Sequence, residues 1–282
     1  MTSFEAVILG IVEGLTEFLP VSSTGHLILA RQLLGLGETE EARAAINTYL
    51  VVIQVGAILA VVAVYGSYLW QMFLGLLGKH AEGAKLLRNV SVAFLPAALV
   101  GLLMESWIDT YLFGLWPTSF AWLVGGVALV HWGHRSKDGP DTKGLELKDL
   151  TLRKALIIGC LQVVAMWPGT SRSLVTILGG RLVGLTLKDS VIFSFLLGML
   201  TLGAATGYKL LGGGAEMVQM LGLPNLLLGV AVAGVSAWIA VKGMVAYLKK
   251  HGLEIFGYYR IALAVITVLL LLVGIIDADS GI

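Results

Sequence analysis

Only one cysteine, Cys160, occurs in the 282 residues. No intrachain disulfide can form, and within its apolar run the thiol reads as a small buried hydrophobe. Charge is almost as scarce. Asp, Glu, Lys and Arg make up 13% of the chain, against about 25% in a soluble domain, while 57% is hydrophobic and the mean hydropathy is +0.88. A net charge of +1 gives no electrostatic footprint for nucleic acid. No Lys or Arg precedes Arg31, and Glu5 interrupts the start of the first apolar run, so the N-terminal segment does not read as a cleavable signal peptide.

What the chain does have is apolar runs of bilayer-spanning length, roughly 17–25 residues each. Six are expected to span: Asn47–Tyr65, Val90–Trp107, Thr118–Trp132, Ser190–Leu210, Leu223–Val245 and Tyr258–Ile276. Two further segments, Phe4–Leu34 and Leu152–Val183, are interrupted at "FLPVSSTG" and "MWPGTSRS". A Pro lacks the N–H that continues a helix, and irregular backbone at membrane depth survives only within protein or beside a wet cavity. Both segments therefore read as re-entrant helix-loop-helix hairpins. "EAVILGIVEG" aligns with "KALIIGCLQV", matching Glu13 to Gln162; a one-residue gap then matches Pro20 to Pro168 and Ser23 to Ser171. Each hairpin precedes three spans, an odd number, so the second copy is inverted. The expected fold is an all-α integral membrane protein forming one domain over 1–282. Repeat 1 covers about 1–135, with hairpin 4–34, and repeat 2 about 150–278, with hairpin 152–183. Such repeats bring broken helices together near the midplane.

Loop charge orients this arrangement. With the N-terminus on side A, that side receives Arg31, Arg43 and Lys209. Side B receives fifteen basic residues, from Lys79 to Arg260 and including Lys137 and Lys143. The positive-inside rule makes side B cytoplasmic and puts both termini outside, in keeping with the acidic tail "DADSGI". The Gly-rich stretch Leu211–Glu216 lacks a following Lys-Ser/Thr, so it is no P-loop and reads as a connecting loop. Gln54 is a lone polar residue within a span, fitted either to line the site or to bond between helices.

The chemistry lies in the two breaks. Glu13 and Glu17, four apart, share a helix face, and carboxylates at that depth suit a hard cation or acid/base work. Ser22, Ser23 and Thr24 can cap the restarted helix, which places Ser23 and His26 on one face. His26 or Glu17 could then assist attack by the Ser23 hydroxyl. Arg172 is the only basic residue inside either break; its planar fork fits phosphate, and Glu17 could instead pair with it structurally. Ser171, Ser173 and Thr176 add hydroxyls, and two helix N-termini favour an anion. These features describe a phosphate site.

"EGLTEFLPVSSTGH" and "PGTSRS" resemble the two signature motifs of the bacterial undecaprenyl-diphosphate phosphatases, the bacitracin-resistance family, and "VVIQVGAILAVV", "FSFLL" and "YYRI" resemble further family segments. The resemblance implies a hydrolase that removes the terminal phosphate of a C55 polyprenyl diphosphate at the outer face of the bacterial inner membrane. It also implies a divalent cation, Mg²⁺ or Ca²⁺, with no organic cofactor. Carried over by motif position, the catalytic set is Ser23, His26, Glu17 and Arg172, with Glu13 and Glu17 on the cation. Ser22, Thr24, Ser171, Ser173 and Thr176 join Arg172 around the phosphates. Leu174 and Val175 depart from the Gly-Ala of many relatives, a change in pocket shape. Expected partners are the polyprenyl diphosphate and membrane lipids, without nucleic acid, and a homodimer is left open. A polyprenyl-phosphate flippase using the same anion pocket is the alternative.

Overall fold

A computed structural model describes residues 1–135 and 144–277. Lys137, Lys143 and the tail beyond Asp277 lie outside the described residues. The described chain is helical, apart from short connections and an isolated bridge between Leu145 and Leu185. Five helical stretches are long and apolar enough to cross a membrane: Glu40–Leu76, Ala81–Ile108, Leu187–Leu221, Leu223–Leu248 and Glu254–Leu272. This is the composition and architecture of a multi-pass membrane protein.

The first interrupted segment forms α1 (Ser3–Thr16) and α2 (Ser23–Leu33), and the second forms α7 (Leu152–Gln162) and α8 (Arg172–Leu182). None is long enough to cross a hydrocarbon core: 14 residues rise about 21 Å and 11 residues about 16 Å, against about 30 Å. The outer end of each hairpin is started by its own sequence. Thr2 and Glu5 form a capping box on α1, and Thr151 caps α7. The tips match in detail. Ser22 (φ 71°) and Ser171 (φ 77°) are the described non-glycine residues with positive φ, each at the N-cap of its restarted helix. Such backbone costs on the order of 1–3 kcal/mol per residue, so its occurrence at both tips marks a constrained turn. A single constant offset pairs Ser22 with Ser171 and also Glu13 with Gln162. The gap expected from the sequence, with Pro20 matched to Pro168, is therefore not needed. In this register Ser23 and Arg172 are equivalent, each the first residue of its helix.

Around the hairpins stand α3 (Glu40–Val52), α4 (Gln54–Leu76), α5 (Ala81–Leu112), α6 (Leu115–Arg135), α9 (Leu187–Leu221), α10 (Leu223–Leu248) and α11 (Glu254–Leu272). α1 packs on α10, α7 on α5, α8 on α9, and α6 on α11. Several expectations change. The run Asn47–Tyr65 is divided at Ile53, so Gln54 opens α4 rather than sitting inside one helix. Thr118–Trp132 is helical within α6 but is not among the five long apolar stretches. Leu211–Glu216 is not a loop: α9 runs straight through it and packs on α3, with Gly213 against Thr48. Cys160 is exposed on α7 rather than buried. Arg260, counted above as a loop cation, is fully buried.

Candidate active site

The two tips meet. The Gly169 N–H donates to Ser22 Oγ at 3.1 Å, and Ser173 Oγ donates to the Leu19 carbonyl at 2.8 Å. Each bond crosses from one hairpin to the other, so residues almost 150 positions apart in the chain share one turn-on-turn contact.

Glu17 stands at the centre. Arg172 Nη2 donates to Glu17 Oε1 at 2.7 Å, and Ser23 Oγ donates to Glu17 Oε2. The carboxylate and guanidinium are 5% and 10% exposed, so water screens their attraction little, and each charge depends on the other to offset the cost of its burial. Arg172 Nη1 also donates to the Ser194 carbonyl at 3.2 Å, and the guanidinium lies 5.5 Å from the Phe18 ring centre. Its Nε is buried without a protein acceptor. Room for this fork is made by α9: a Cβ at Gly198 would lie only 1.5 Å from Arg172 Nη1.

Glu13 sits one helical turn behind Glu17, fully buried beside it. Neither of its carboxylate oxygens meets a hydrogen-bond donor. A buried carboxyl with no donor on either oxygen, beside a second carboxylate whose charge Arg172 already offsets, requires a proton or a cation, and oxygen donors suit Mg²⁺ or Ca²⁺. Among the described residues no group of three His, Cys, Asp or Glu is assembled. Glu13 and Glu17 could therefore hold a cation only if other oxygens completed its shell, as Mg²⁺ commonly allows with water and phosphate.

His26 is turned away from Ser23. Its Nδ1 lies 2.7 Å from the Ser22 carbonyl, which can only accept, so Nδ1 carries a proton. Its Nε2 shares a 2.7 Å hydrogen bond with the Tyr259 hydroxyl, and the two rings stack nearly parallel. The Ser23 hydroxyl thus has Glu17, not His26, as its partner. Ser171 Oγ accepts from the Leu174 N–H and bonds Ser173 Oγ at 3.0 Å. Thr176 is fully buried, and its hydroxyl bonds the Arg172 carbonyl and Ser194 Oγ rather than lining the cavity.

In front of the tips lies a cavity of about 570 Å³. Glu17, Ser22, Ser23, Thr24, Ser171 and Arg172 form its polar end. Small and apolar side chains of α5 and α9 form its walls, among them Ala97, Gly101 and Ala205, and the Glu105–Lys209 ion pair stands at the far end. Such a shape takes a ligand with a charged head and an apolar body. Gln162 also lines it; its Oε1 accepts from Thr201 at 3.4 Å and its Nε2 is buried without a partner. The sequence paired Gln162 with Glu13 but assigned it no role. Tyr259 and Arg260 had no site role from the sequence: the "YYRI" segment that contains them carries the family resemblance, but the Arg260 charge reads there as a loop cation.

The family described as "Bacitracin resistance protein BacA" matches residues 6–266. Among curated relatives, an "Undecaprenyl-diphosphatase" of Sorangium cellulosum is 42% identical over 92% of this chain and 83% of its own length. Proteins of the same name from Maridesulfovibrio salexigens and Rhodopseudomonas palustris are 43% and 40% identical, over 94% and 95% of this chain and 97% of their own lengths.

Proposed function

The chain belongs to the bacitracin resistance protein BacA family, and on that premise we propose that it is an undecaprenyl-diphosphatase. It hydrolyses the phosphoanhydride of a C55 polyprenyl diphosphate, giving the monophosphate carrier lipid and phosphate. The observation that carries the site assignment is the contact of Ser23 and Arg172 on the two oxygens of one carboxylate, Glu17.

The mechanism follows from that contact. The diphosphate enters the polar end of the cavity while the isoprenoid lies along the small-residue walls. Arg172, with N–H groups left over from Glu17 and Ser194, binds phosphate oxygens, and the N-termini of α2 and α8 add backbone donors. Ser22, Thr24 and Ser171 border the same end, while Ser173, bonded to the Leu19 carbonyl and to Ser171, and Thr176, bonded to the Arg172 carbonyl, support it from behind. Ser23 Oγ attacks the terminal phosphorus and its proton passes to Glu17. The P–O bond to the inner phosphate breaks, and the electron pair leaves with the lipid monophosphate. Water then attacks the phosphoserine and releases phosphate, with the proton returning from Glu17. Glu13 and Glu17 would hold the divalent cation, which when bound offsets the charge that builds on the diphosphate oxygens. His26, bound to Ser22 and Tyr259, orients the turn that presents Ser23. Positioning and charge stabilisation carry most of the rate in phosphoryl transfer.

The finer topology belongs to the same proposal. α1–α2 and α7–α8 are re-entrant hairpins of an inverted repeat, and α3–α4, α5, α6, α9, α10 and α11 are the six spans. The cavity runs from the tips toward Glu105 and Lys209. Lys209 falls on the face poor in loop cations, which supports a site opening to the outer side of the bacterial inner membrane. A homodimer is testable by crosslinking in native membranes. A flippase would need the anion pocket but not a serine hydroxyl bonded to a carboxylate, so the observed pairing favours hydrolysis.

Purified protein in detergent is expected to release phosphate from a long-chain prenyl diphosphate, to stop on chelation and to recover with Mg²⁺ or Ca²⁺. Ser23→Ala should lose at least about 10³-fold in turnover, as removal of an activated nucleophile does. Near-normal turnover would leave direct attack by water. Release indifferent to Glu17→Ala would mean a contaminating enzyme.

A further inference from the structure

Arg260 is buried in α11 at 0% exposure, and its hydrogen-bond partners are all backbone carbonyls. Nη1 donates to Pro20 O at 3.2 Å and Nη2 to Gly169 O at 2.8 Å; Nη2 also reaches Ala121 O at 2.9 Å and Nε reaches Trp122 O at 3.4 Å. Pro20 and Gly169 each lie two residues before the positive-φ serine of their tip, so one guanidinium grips both turns just upstream of Ser22 and Ser171. From the same side Trp122 Nε1 donates to Val21 O at 2.9 Å. α6 and α11 thus back the tips as a pair, opposite the cavity.

Burying an arginine without a carboxylate partner is costly, and a hydrophobic residue would fill the space at lower cost. What no hydrophobic residue supplies is a rigid planar fork that joins two carbonyls from different hairpins at fixed separation. We propose that Arg260 is a positioning residue for the diphosphatase reaction. By bridging Pro20 and Gly169 it sets the spacing between Ser23 and Arg172, the first residues of the two restarted helices, and keeps a positive charge directly behind the anion site. This deepens the phosphatase reading and rests on it for its kinetic consequence; its structural consequence is independent of that reading.

The fold contains its own probe. A Cβ at Gly125 would lie 2.2 Å from Arg260 Nη2, so Gly125→Ala must push the guanidinium aside while leaving Arg260 in place. The contact is with the flexible end of a side chain, and alanine is a better helix former than glycine, so α6 tolerates the change. Gly125→Ala and Arg260→Lys are compared with the parent in full-length purified protein by phosphate release and by hydrogen–deuterium exchange. A misplacement of this kind lowers kcat on the order of 10²-fold. KM should change far less. Exchange should rise together over residues 17–24 and 166–174, with α6 and α11 staying protected. Three results overturn the proposal: parental kcat in either folded variant, exchange that rises in one tip alone, or exchange that rises mainly in α6 and α11, the mark of a helix-packing role. A Gly125→Ala chain that fails to fold also counts against it, because tip spacing would then be inseparable from stability. If even the parent releases no phosphate, the phosphatase reading fails and the exchange pattern still decides the coupling.

Discussion

At the residue scale, the site is organised by competition for one carboxylate. Glu17 receives both the Ser23 hydroxyl and the Arg172 guanidinium, so anything that shifts the guanidinium also disturbs the carboxylate bonded to Ser23. The steric notch at Gly198 makes this testable without touching a polar group. Gly198→Ala places a methyl where Arg172 Nη1 now lies. The fork must leave Ser194 and Glu17, and kcat/KM is expected to fall on the order of 10²-fold while α9 stays helical, read by steady-state phosphate release beside circular dichroism. An unaltered kcat/KM would show that the fork is free to work from another position. Much of this scale was legible beforehand. Carboxylates, hydroxyls and an arginine stand out against an apolar background because each must be paired or wet there. The Glu17–Arg172 pair was among the readings the sequence allowed; the partner His26 takes was not legible. Ser23 and His26 share a face by spacing, yet the imidazole is claimed by Ser22 O and by Tyr259 from the far end of the chain, a choice made by packing and carrying no local signal.

At the element scale, each tip is a strained turn satisfied by the other. Removing a cross-tip bond should cost different amounts according to what it leaves behind. Ser22→Ala removes the acceptor of the buried Gly169 N–H, at about 1–3 kcal/mol. Ser173→Ala removes a donor from the Leu19 carbonyl, a milder loss of about 1 kcal/mol. Thermal melting in detergent should therefore order the proteins parent, Ser173→Ala, Ser22→Ala from most to least stable; the reverse order would mean that the tips are held mainly from behind. The prolines marked both breaks correctly. Their alignment did not survive, because the turns are equivalent in backbone conformation at Ser22 and Ser171 and not in where the proline falls. The Gly-rich segment of α9 misled for the opposite reason: glycine weakens a helix by only about 1 kcal/mol, which packing against α3 overrides.

At the scale of the whole molecule, two pairs of short helices are held between longer ones, with α6 and α11 on one side of their tips and a cavity lined by α5 and α9 on the other. The apolar content announced a helical membrane protein and the two breaks marked where short helices meet, whereas the contact of α11 with both tips was hidden because Arg260 looked like one more loop cation. The central claim is that both halves of the chain build one catalytic site, and a double-mutant cycle between Glu17→Gln and Arg172→Gln on kcat/KM for prenyl diphosphate hydrolysis tests it most directly. Each single change should cost on the order of 10²-fold or more. Residues acting as a unit are non-additive, so the double variant should be no worse than the poorer single within about threefold. Losses that multiply would place the two residues in independent roles and contradict a shared site.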